Sequence, residues 1–266
     1  MDEYPVRIGS MLFTMVDPHR GSEVAYNRWY ERDHFYAGCM IGPWLFSGGR
    51  WVAPRSLKDL RFPAESPFAE PVDAGSYLST YWIHEDHVDE HLKWAGEQVV
   101  RLYGNGRGFD ERTHAHTGIY DLVSVAYADE DAVPLELSLD HHFPGLGVVV
   151  TEPAEGVGAE EHRRWLESEA VPGLLATDGV ASWSSWAKHP SPTGQRSRSP
   201  MALGTDGGSE DRLVQLVFVD ADPAVAWESF RDFGRTVESG GAARLTFAAP
   251  FFGTNVGTDD HADRLW

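Results

Sequence analysis

The chain has 266 residues, of which 42% are hydrophobic, and a formal net charge of −19 from 41 acidic and 22 basic side chains. This length accommodates one or two domains with a sizeable core. The negative charge repels phosphate backbones, which excludes nucleic acid as an expected partner. The single cysteine, Cys39, rules out an intrachain disulfide and is typical of a reducing, cytoplasmic compartment. The sequence lacks a basic-then-apolar leader and an apolar run of about 18 residues, so we expect neither export nor a membrane span.

The first half alternates extended and helical patterns. β-Branched and aromatic runs bounded by Gly and Pro predict strands over 7–16, 44–53, 77–84 and 111–127. Helices are predicted over 22–37, with Ser22 as the N-cap, and over 86–103. The second helix has an apolar stripe of Leu92, Ala95, Val99 and Leu102. Residues 54–76 carry four prolines and are predicted to form a loop.

The second half repeats this order of elements. Strands are predicted over 145–152, 179–188, 212–220 and 242–256, and helices over 158–176 and 223–238. An acidic linker that contains proline, 129–144, joins the two halves. Residues 189–211 are rich in Ser, Gly and Pro, which predicts a mobile loop.

The two halves resemble each other around a tryptophan. Trp29 and Trp165 lie at matching places in their helices, 136 residues apart (165 − 29). Each half has the order β-α-β-β-α-β, which is the ferredoxin-like pattern. We therefore predict an α+β fold with two tandem ferredoxin-like modules, at 1–128 and 145–266. Their antiparallel sheets would pack face to face to bury the faces that carry no helices.

The first predicted helix carries an unusual polar face. Asn27, Tyr30 and His34 have the spacing of a single helix face, and they lie beside Trp29. Polar and titratable side chains flanked by aromatics favour a face that lines a cavity. An imidazole beside a phenol can transfer protons near neutral pH. The alternative is a histidine at the helix end that packs on Trp29 and is satisfied by the backbone.

Further histidines form two groups. On a regular strand His114 and His116 point to the same side, with Tyr120 further along it. Three interpretations remain open for this pair, namely pocket lining, metal ligation and a solvated strand end. A second group has a spacing that can bind metal, but its acidic neighbours favour a solvated helix start; it comprises His84, His87 and His91.

Several aromatic residues are candidates for binding a flat substrate, although a core rich in tryptophan is the alternative interpretation. They include Tyr36, Trp82 and Tyr120. Nothing near Cys39 forms a nucleophile constellation, so we interpret it as structural. At the matched position of the second half, Ala170 replaces His34. We therefore expect the pocket in the first module only, with His34 in its wall.

The run Trp29-Tyr30-x-x-x-His34 after an opening strand, with the tandem order of elements, resembles the dimeric α/β-barrel superfamily. It is most similar to the EthD-like branch, whose pattern is Trp-Tyr-x-x-x-His-x-Pro. The chain departs from that pattern at Tyr36, where proline is usual. The resemblance implies a small-molecule pocket without a nucleotide cofactor, and an acid-base role for His34 alone. Members include cofactor-free monooxygenases, polyketide cyclases, lactone isomerases, dehydratases and distant haem branches.

Two hypotheses of different class follow. The favoured one is an enzyme that uses no cofactor and acts by acid-base chemistry on an aromatic, polyketide-like or lactone-like substrate. Its catalytic residues would be His34, Tyr30, His114 and His116, and its substrate-binding residues Asn27, Trp29, Tyr36, Trp82 and Tyr120. The alternative is a non-catalytic carrier of small molecules, or a protein that binds haem or a metal through the histidines of the first module. A homo-oligomer is compatible with either hypothesis.

Overall fold

The computed structural model describes residues 6–190, 202–205 and 207–266. The strands of the first half are β1 (Ile8–Pro18), β2 (Leu45–Val52), β3 (Tyr77–His84) and β4 (Arg112–Tyr127). Those of the second half are β5 (Gly145–Pro153), β6 (Val180–Lys188), β7 (Leu213–Val219) and β8 (Ala243–Gly253). Each predicted strand is therefore present, with ends shifted by at most a few residues.

The predicted helices are also present, and two of them change type along their length. In the first half α1 (Glu23–Trp29) continues as a π-helix (Tyr30–Met40), and α2 (Arg55–Lys58) and α3 (Val88–Gly104) follow. In the second half α4 (Ala159–Trp165) passes through a π-helix (Leu166–Ala170) into α5 (Val171–Leu175), and α6 (Pro223–Gly240) follows β7. A 3₁₀ turn, Leu135–Leu137, lies between the halves. Much of the predicted mobile loop, at 191–201 and 206, lies outside the described residues.

The strands form one closed antiparallel barrel in the order β1-β3-β2-β8-β5-β7-β6-β4. The α+β fold with two modules is confirmed, and the two sheets face each other across the barrel. They are not separate, however, because β4 pairs with β6 over seven residue pairs and β2 pairs with β8 over two. Joining the edges satisfies backbone groups that a free edge strand would leave unpaired.

The interior of the barrel is filled by side chains. Trp82 and Trp186 stack there with ring centroids 5.0 Å apart, and both are fully buried. The indole nitrogen of Trp82 donates to the carbonyl oxygen of Leu135 at 3.1 Å. An eight-stranded barrel has an interior just wide enough for side chains to fill. Trp82, a predicted substrate-binding residue, is thus a core residue.

The outer face of the second half is also closely packed. An apolar cluster that includes Leu166, Trp183 and Phe230 joins the helices to the sheet. A Cβ atom at Gly147 on β5 would lie 2.2 Å from the ring of Phe230, so only glycine fits there. The space between helices and sheet is consequently occupied by the chain itself.

Helix α3 buries a different face from the predicted one. Its buried residues are His91, Gln98 and Leu102, whereas Leu92 and Val99 are only half-buried. Gln98 donates to the carbonyl oxygen of Ala37, at the end of the π-helix, at 2.5 Å. The buried face of α3 is therefore set in part by this hydrogen bond. The pattern of apolar residues along the helix does not predict such a polar contact. Among the described residues, no helix is long and apolar enough to cross a membrane.

We predict that Trp186→Ala lowers the free energy of unfolding by about 3–5 kcal/mol, because it leaves a cavity beside Trp82 in the barrel core. Chemical denaturation followed by circular dichroism measures the change. The control is Val225→Ala on α6, whose side chain is 78% exposed; it should change stability by less than about 0.5 kcal/mol. Equal effects of the two substitutions would contradict the packed interior.

Candidate functional site

The π-helix divides the polar face predicted for the first helix. It begins at Tyr30, directly after Trp29, and its wider turn rotates the residues that follow. Asn27 and Tyr30 are buried against the sheet, whereas His34 is half-buried. The imidazole of His34 stacks on Trp29 at 4.5 Å with an interplanar angle of 17°, and its edge meets Tyr30 at 5.2 Å. The predicted neighbours of His34 are thus correct, but they do not line one cavity.

The ring nitrogens of His34 make no hydrogen bond within the described parts of the chain. The ring lies on Gly38, where a Cβ atom would be 2.6 Å from Nδ1. Burial first, and then the charges of Arg112 and Arg50, lower the pKa of His34 from 6.5 to about 4, while the charge of Asp33 partly opposes them. The imidazole is therefore neutral at pH 7.

His114 lies near His34, and its hydrogen bonds define its tautomer. Arg112 Nε donates to His114 Nε2 at 3.4 Å, and His114 Nδ1 lies 2.8 Å from Thr117 Oγ1. Because a guanidinium only donates, Nε2 accepts and the proton resides on Nδ1. Burial, then Arg112 and His34, lower the pKa of His114 to about 3. Both of its nitrogens are occupied, so His114 has a supporting role.

Arg112 completes this group. Its guanidinium lies 4.7 Å from the ring centroid of Trp29 and donates to the hydroxyl of Tyr103 at 3.0 Å. Trp29 in turn donates from its indole nitrogen to the carbonyl oxygen of Arg107 at 3.0 Å. We refer to Trp29, His34, Arg112 and His114 as the His34 cluster. It combines one unbonded imidazole, a cation and a flat aromatic wall.

His116 does not belong to the His34 cluster, so the prediction that it shares a face with His114 is wrong. On β1, Val16 pairs with His114 and Met15 pairs with His116, which leaves Ala115 as the extra residue of a bulge. One inserted residue reverses the alternation of side chains. His116 therefore points into the barrel, where it stacks on Phe68 at 3.9 Å.

Two further predicted site residues are also packed. Tyr120 lies in the barrel with its hydroxyl 2.6 Å from His116 Nε2. The Tyr30 hydroxyl is 2.8 Å from that of Tyr81, and burial raises the pKa of Tyr30. Neither phenol is directed toward His34. The structure thus brings together His34, His114 and Trp29. The ring of Tyr30 also contacts His34, although its hydroxyl is turned to Tyr81, and the other predicted residues lie apart from this group.

A pocket of about 410 Å³ lies at the junction of β2 and β8. Tyr36 is the one predicted substrate-binding residue in its wall, and His34 is not part of that wall. The lining also comes from the linker and from residues 253–256, so this pocket is not confined to the first module. We call it the seam pocket.

Sequence reasoning missed Arg50 and Glu31, which line the seam pocket and form a buried ion pair. Arg50 Nη1 lies 3.2 Å from Glu31 Oε1 and donates to Asn27 Oδ1 at 2.8 Å. The available signal was an arginine within a predicted strand, together with a glutamate four residues after Asn27 on the predicted polar face.

The remaining histidines do not form a metal site. Within the described ranges, no group of three or more His, Cys, Asp or Glu side chains could hold a metal ion. His87 stacks on Trp44 with centroids 3.9 Å apart, and His84 lies against Phe46. Cys39 is buried, which raises the pKa of its thiol to about 12 and is consistent with a structural role.

Barrel order and tandem modules define the fold class as a dimeric α/β-barrel of antiparallel strands. No protein-family model and no curated protein matches the chain. Solved structures do share the fold. An anthrone oxidase-like protein has a TM-score of 0.51 and 10% identity, with 95% of each chain covered.

Two other solved structures are similar to this chain. A mutant chlorite dismutase from Candidatus Nitrospira defluvii in complex with cyanide has a TM-score of 0.53 and 10% identity, and covers 96% of this chain and 94% of its own. A haem-binding protein from Thermus thermophilus has a TM-score of 0.47 and 8% identity, with 98% and 96% covered. The prediction that the chain uses no cofactor is contradicted by the similarity in fold to the chlorite dismutase. These similarities in fold do not confirm the EthD-like branch.

We predict that His34 makes stability depend on pH. Its pKa is about 4 in the folded protein, below the ordinary 6.5, so the unfolded chain binds the proton first as the pH falls. The free energy of unfolding therefore keeps its full value above about pH 6.5 and falls as the pH is lowered from 6.5 to 4. Urea denaturation at pH 7 and pH 4.5 measures it. In His34→Gln the loss of stability on acidification should be smaller by on the order of 1–3 kcal/mol.

The control for this experiment is His141→Gln, because His141 is exposed in the linker. This variant should keep the pH dependence of the wild-type protein. If His34→Gln lost as much stability as the wild type on acidification, the lowered pKa of His34 would be wrong.

Proposed function

We propose that the protein binds haem through His34 and acts on a small molecule by redox chemistry. The observation that carries the proposal is the state of the His34 imidazole, which is neutral at pH 7 and has no hydrogen-bond partner within the described residues. A neutral imidazole nitrogen is what iron requires as a ligand. The resemblance in fold to a chlorite dismutase in complex with cyanide, which is itself a ligand for iron, supports the same assignment.

The pKa of His34 favours ligation over proton transfer. A general acid or base works best when its pKa is near the operating pH. With a pKa of about 4, about one His34 side chain in a thousand is protonated at pH 7. Such a group is a poor general acid and a weak base, whereas ligation uses the neutral form directly.

Haem also suits the site better than a bare metal ion does. Protein metal sites need three or four side-chain ligands, and the described residues contain no such group. Haem brings the four nitrogens of its macrocycle, so a single protein ligand suffices. The single imidazole of His34 can therefore serve as a haem ligand, whereas it does not suffice for an isolated ion.

The other members of the His34 cluster have clear supporting roles. Trp29 and Gly38 fix the orientation of the His34 ring, because the imidazole is held between them. Arg112 brings a positive charge that attracts a haem propionate. His114 orients Arg112 through Nε2. Haem, when bound, supplies one-electron and oxygen chemistry that side chains lack.

We further propose that residues 1–128 form the reactive module and residues 145–266 the scaffold. The apolar packing of the second half supports this division. An EthD-like relationship is part of the proposal, since Trp29, Tyr30 and His34 lie on the helix that carries the site.

We predict that titration of the purified protein with haemin produces a Soret band with one haem per chain, and that His34→Ala weakens binding at least about tenfold, because it removes the iron ligand. Absorbance and haem-quenched tryptophan fluorescence give two independent measures of affinity. The melting temperature of each variant shows that it is folded.

The matched control is His84→Ala. His84 is a half-buried histidine at the opposite end of β3 from the residues that adjoin the His34 cluster. Its variant should bind haem like the wild type. No Soret band in the wild type, or equal loss in both variants, overturns the proposal.

A further inference from the structure

The seam pocket lies where the pairing between β2 and β8 stops. The two strands share the pairs Trp51 with Gly253 and Val52 with Phe252. Residues 45–50 of β2 run on beyond these pairs for about 20 Å. Within the described parts of the chain, this stretch pairs with β3 and with no other strand. The pocket, with a volume of about 410 Å³, occupies the gap where a partner strand would lie.

The backbone of β2 faces this gap. Gly48 and Gly49 line the pocket, and because glycine has no side chain, they do so with backbone atoms. The carbonyl oxygen of Arg50 accepts a hydrogen bond from the backbone N–H of Thr254 at 3.0 Å, so it is directed away from β3. In a strand the N–H and C=O of one residue point to the same side, and alternate residues repeat that direction. The N–H of Arg50 and both backbone groups of Gly48 are therefore directed into the gap.

These three groups have no hydrogen-bond partner among the described residues. The N–H of Arg50 does not bond to Thr254, because the ladder between β2 and β8 ends at the pair of Trp51 with Gly253. The open edge thus offers two donors, the N–H groups of Gly48 and Arg50, and one acceptor, the C=O of Gly48. Since nearly all backbone groups inside proteins are paired, these groups are available to a ligand that fills the gap.

The two faces of the gap are covered. On one face a Cβ atom at Gly48 would lie 2.9 Å from Met40 Sδ, at the end of the π-helix. On the other face a Cβ atom at Gly49 would lie 3.0 Å from Leu139 Cδ2, in the linker. Aromatic side chains of the wall continue these two layers, namely Phe35 and Tyr36 from the π-helix and Phe143 from the linker. The gap is therefore a space in the plane of the sheet, closed above and below.

The pattern of open groups favours a peptide over other ligands. The acceptor of Gly48 and the donor of Arg50 lie two residues apart on one edge, which is the spacing that the N–H and C=O of one extended residue satisfy. A ligand with acceptors alone would leave the carbonyl of Gly48 unpaired, and a ligand with donors alone would leave both N–H groups unpaired. Because the gap is closed on both faces, a single extended chain fits it and the flanked edge of a folded second copy does not.

We propose that the seam pocket binds a short peptide segment in extended conformation, which adds a strand to the open edge of β2. Main-chain hydrogen bonds to Gly48 and Arg50 supply the affinity. Successive side chains of an extended peptide point to opposite faces, so they meet the aromatic side chains of the π-helix and of the linker in turn. These walls select apolar side chains. The site lies outside the His34 cluster, and binding does not depend on haem at His34.

Peptides that differ in one atom test the proposal on the full chain without haem, by fluorescence anisotropy. The parent is acetyl-Lys-Leu-Val-Leu-Lys-amide with a fluorophore on its last side chain; its first lysine complements the net charge of −19. Two ester analogues replace the N–H of the valine, or that of the leucine after it, by oxygen. Neighbouring N–H groups of an extended chain point to opposite edges, so one ester should bind about fivefold or more weakly than the parent and the other should bind like it. Equal affinity of all three peptides, or equal loss in both esters, overturns the proposal.

Hydrogen exchange of single amides, measured by NMR on the labelled full chain, shows which groups the peptide covers. With the parent peptide at about ten times its dissociation constant, the N–H groups of Gly48 and Arg50 should exchange about tenfold more slowly. Gly49 is the internal control, because its N–H is directed to β3, where the residue lies opposite Thr80, and its exchange should change little. Peptide binding with unchanged exchange at Gly48 and Arg50 contradicts strand addition. This measurement requires no substitution.

Two tryptophan variants locate the binding. Val256 lies in the pocket wall and is 66% exposed, so Val256→Trp fills the mouth of the gap without disturbing the core. It should weaken the parent peptide about tenfold or more by steric exclusion. The matched control is Val225→Trp on α6, at another exposed valine, which should bind as the wild type does. Unchanged binding in Val256→Trp places the peptide elsewhere. Absence of peptide binding, together with self-association that Val256→Trp abolishes, assigns the gap to a second copy; either result overturns the proposal.

Discussion

The buried guanidinium of Arg50 is the constraint on which the first half depends. Arg50 projects from β2 and pairs with Glu31 on the π-helix, and Glu31 accepts a hydrogen bond from the backbone of Gly257. One strand, one helix and the C-terminal tail are thereby tied together. Breaking such a buried pair by removing one partner costs roughly 3–5 kcal/mol. The helix that carries His34 therefore cannot move independently of the sheet, which keeps the imidazole in place without hydrogen bonds of its own.

Comparison of the two halves separates what the fold requires from what the site adds. Trp29 and Trp165 each precede a π-helical segment, so this irregularity belongs to the shared architecture. π-Helical turns are common at functional sites, but here the scaffold half has one too. What differs is the residue at the matched position, where Ala170 is buried in an apolar cluster and His34 is half-buried. The imidazole, rather than the backbone, distinguishes the first half.

Strands, helices and the tandem order could be predicted because they depend on local patterns of period 2 and 3.6. The side of the sheet on which His116 lies could not be predicted. A β-bulge at Ala115 reverses the alternation of side chains, and the sequence pattern does not indicate this bulge. The role of Arg50 also escaped prediction. Its burial requires Glu31, 19 residues away, and a tail more than two hundred residues away. Long-range pairing of this kind leaves no periodic trace.

The location of both candidate sites follows from how the barrel is filled. Stacked tryptophans close the interior, and apolar side chains close the outer face of the second half. The two candidate sites accordingly lie in the first half and at the seam. At the seam, β2 pairs with β8 over only two residue pairs. Beyond them, the backbone N–H of Thr254 donates to the carbonyl oxygen of Arg50 at 3.0 Å. A short loop contact thus satisfies part of a strand edge that a complete barrel would have paired, and the shortened pairing leaves the gap that becomes the pocket. The short pairing between β2 and β8 therefore weakens the barrel at this edge and also leaves space for a ligand.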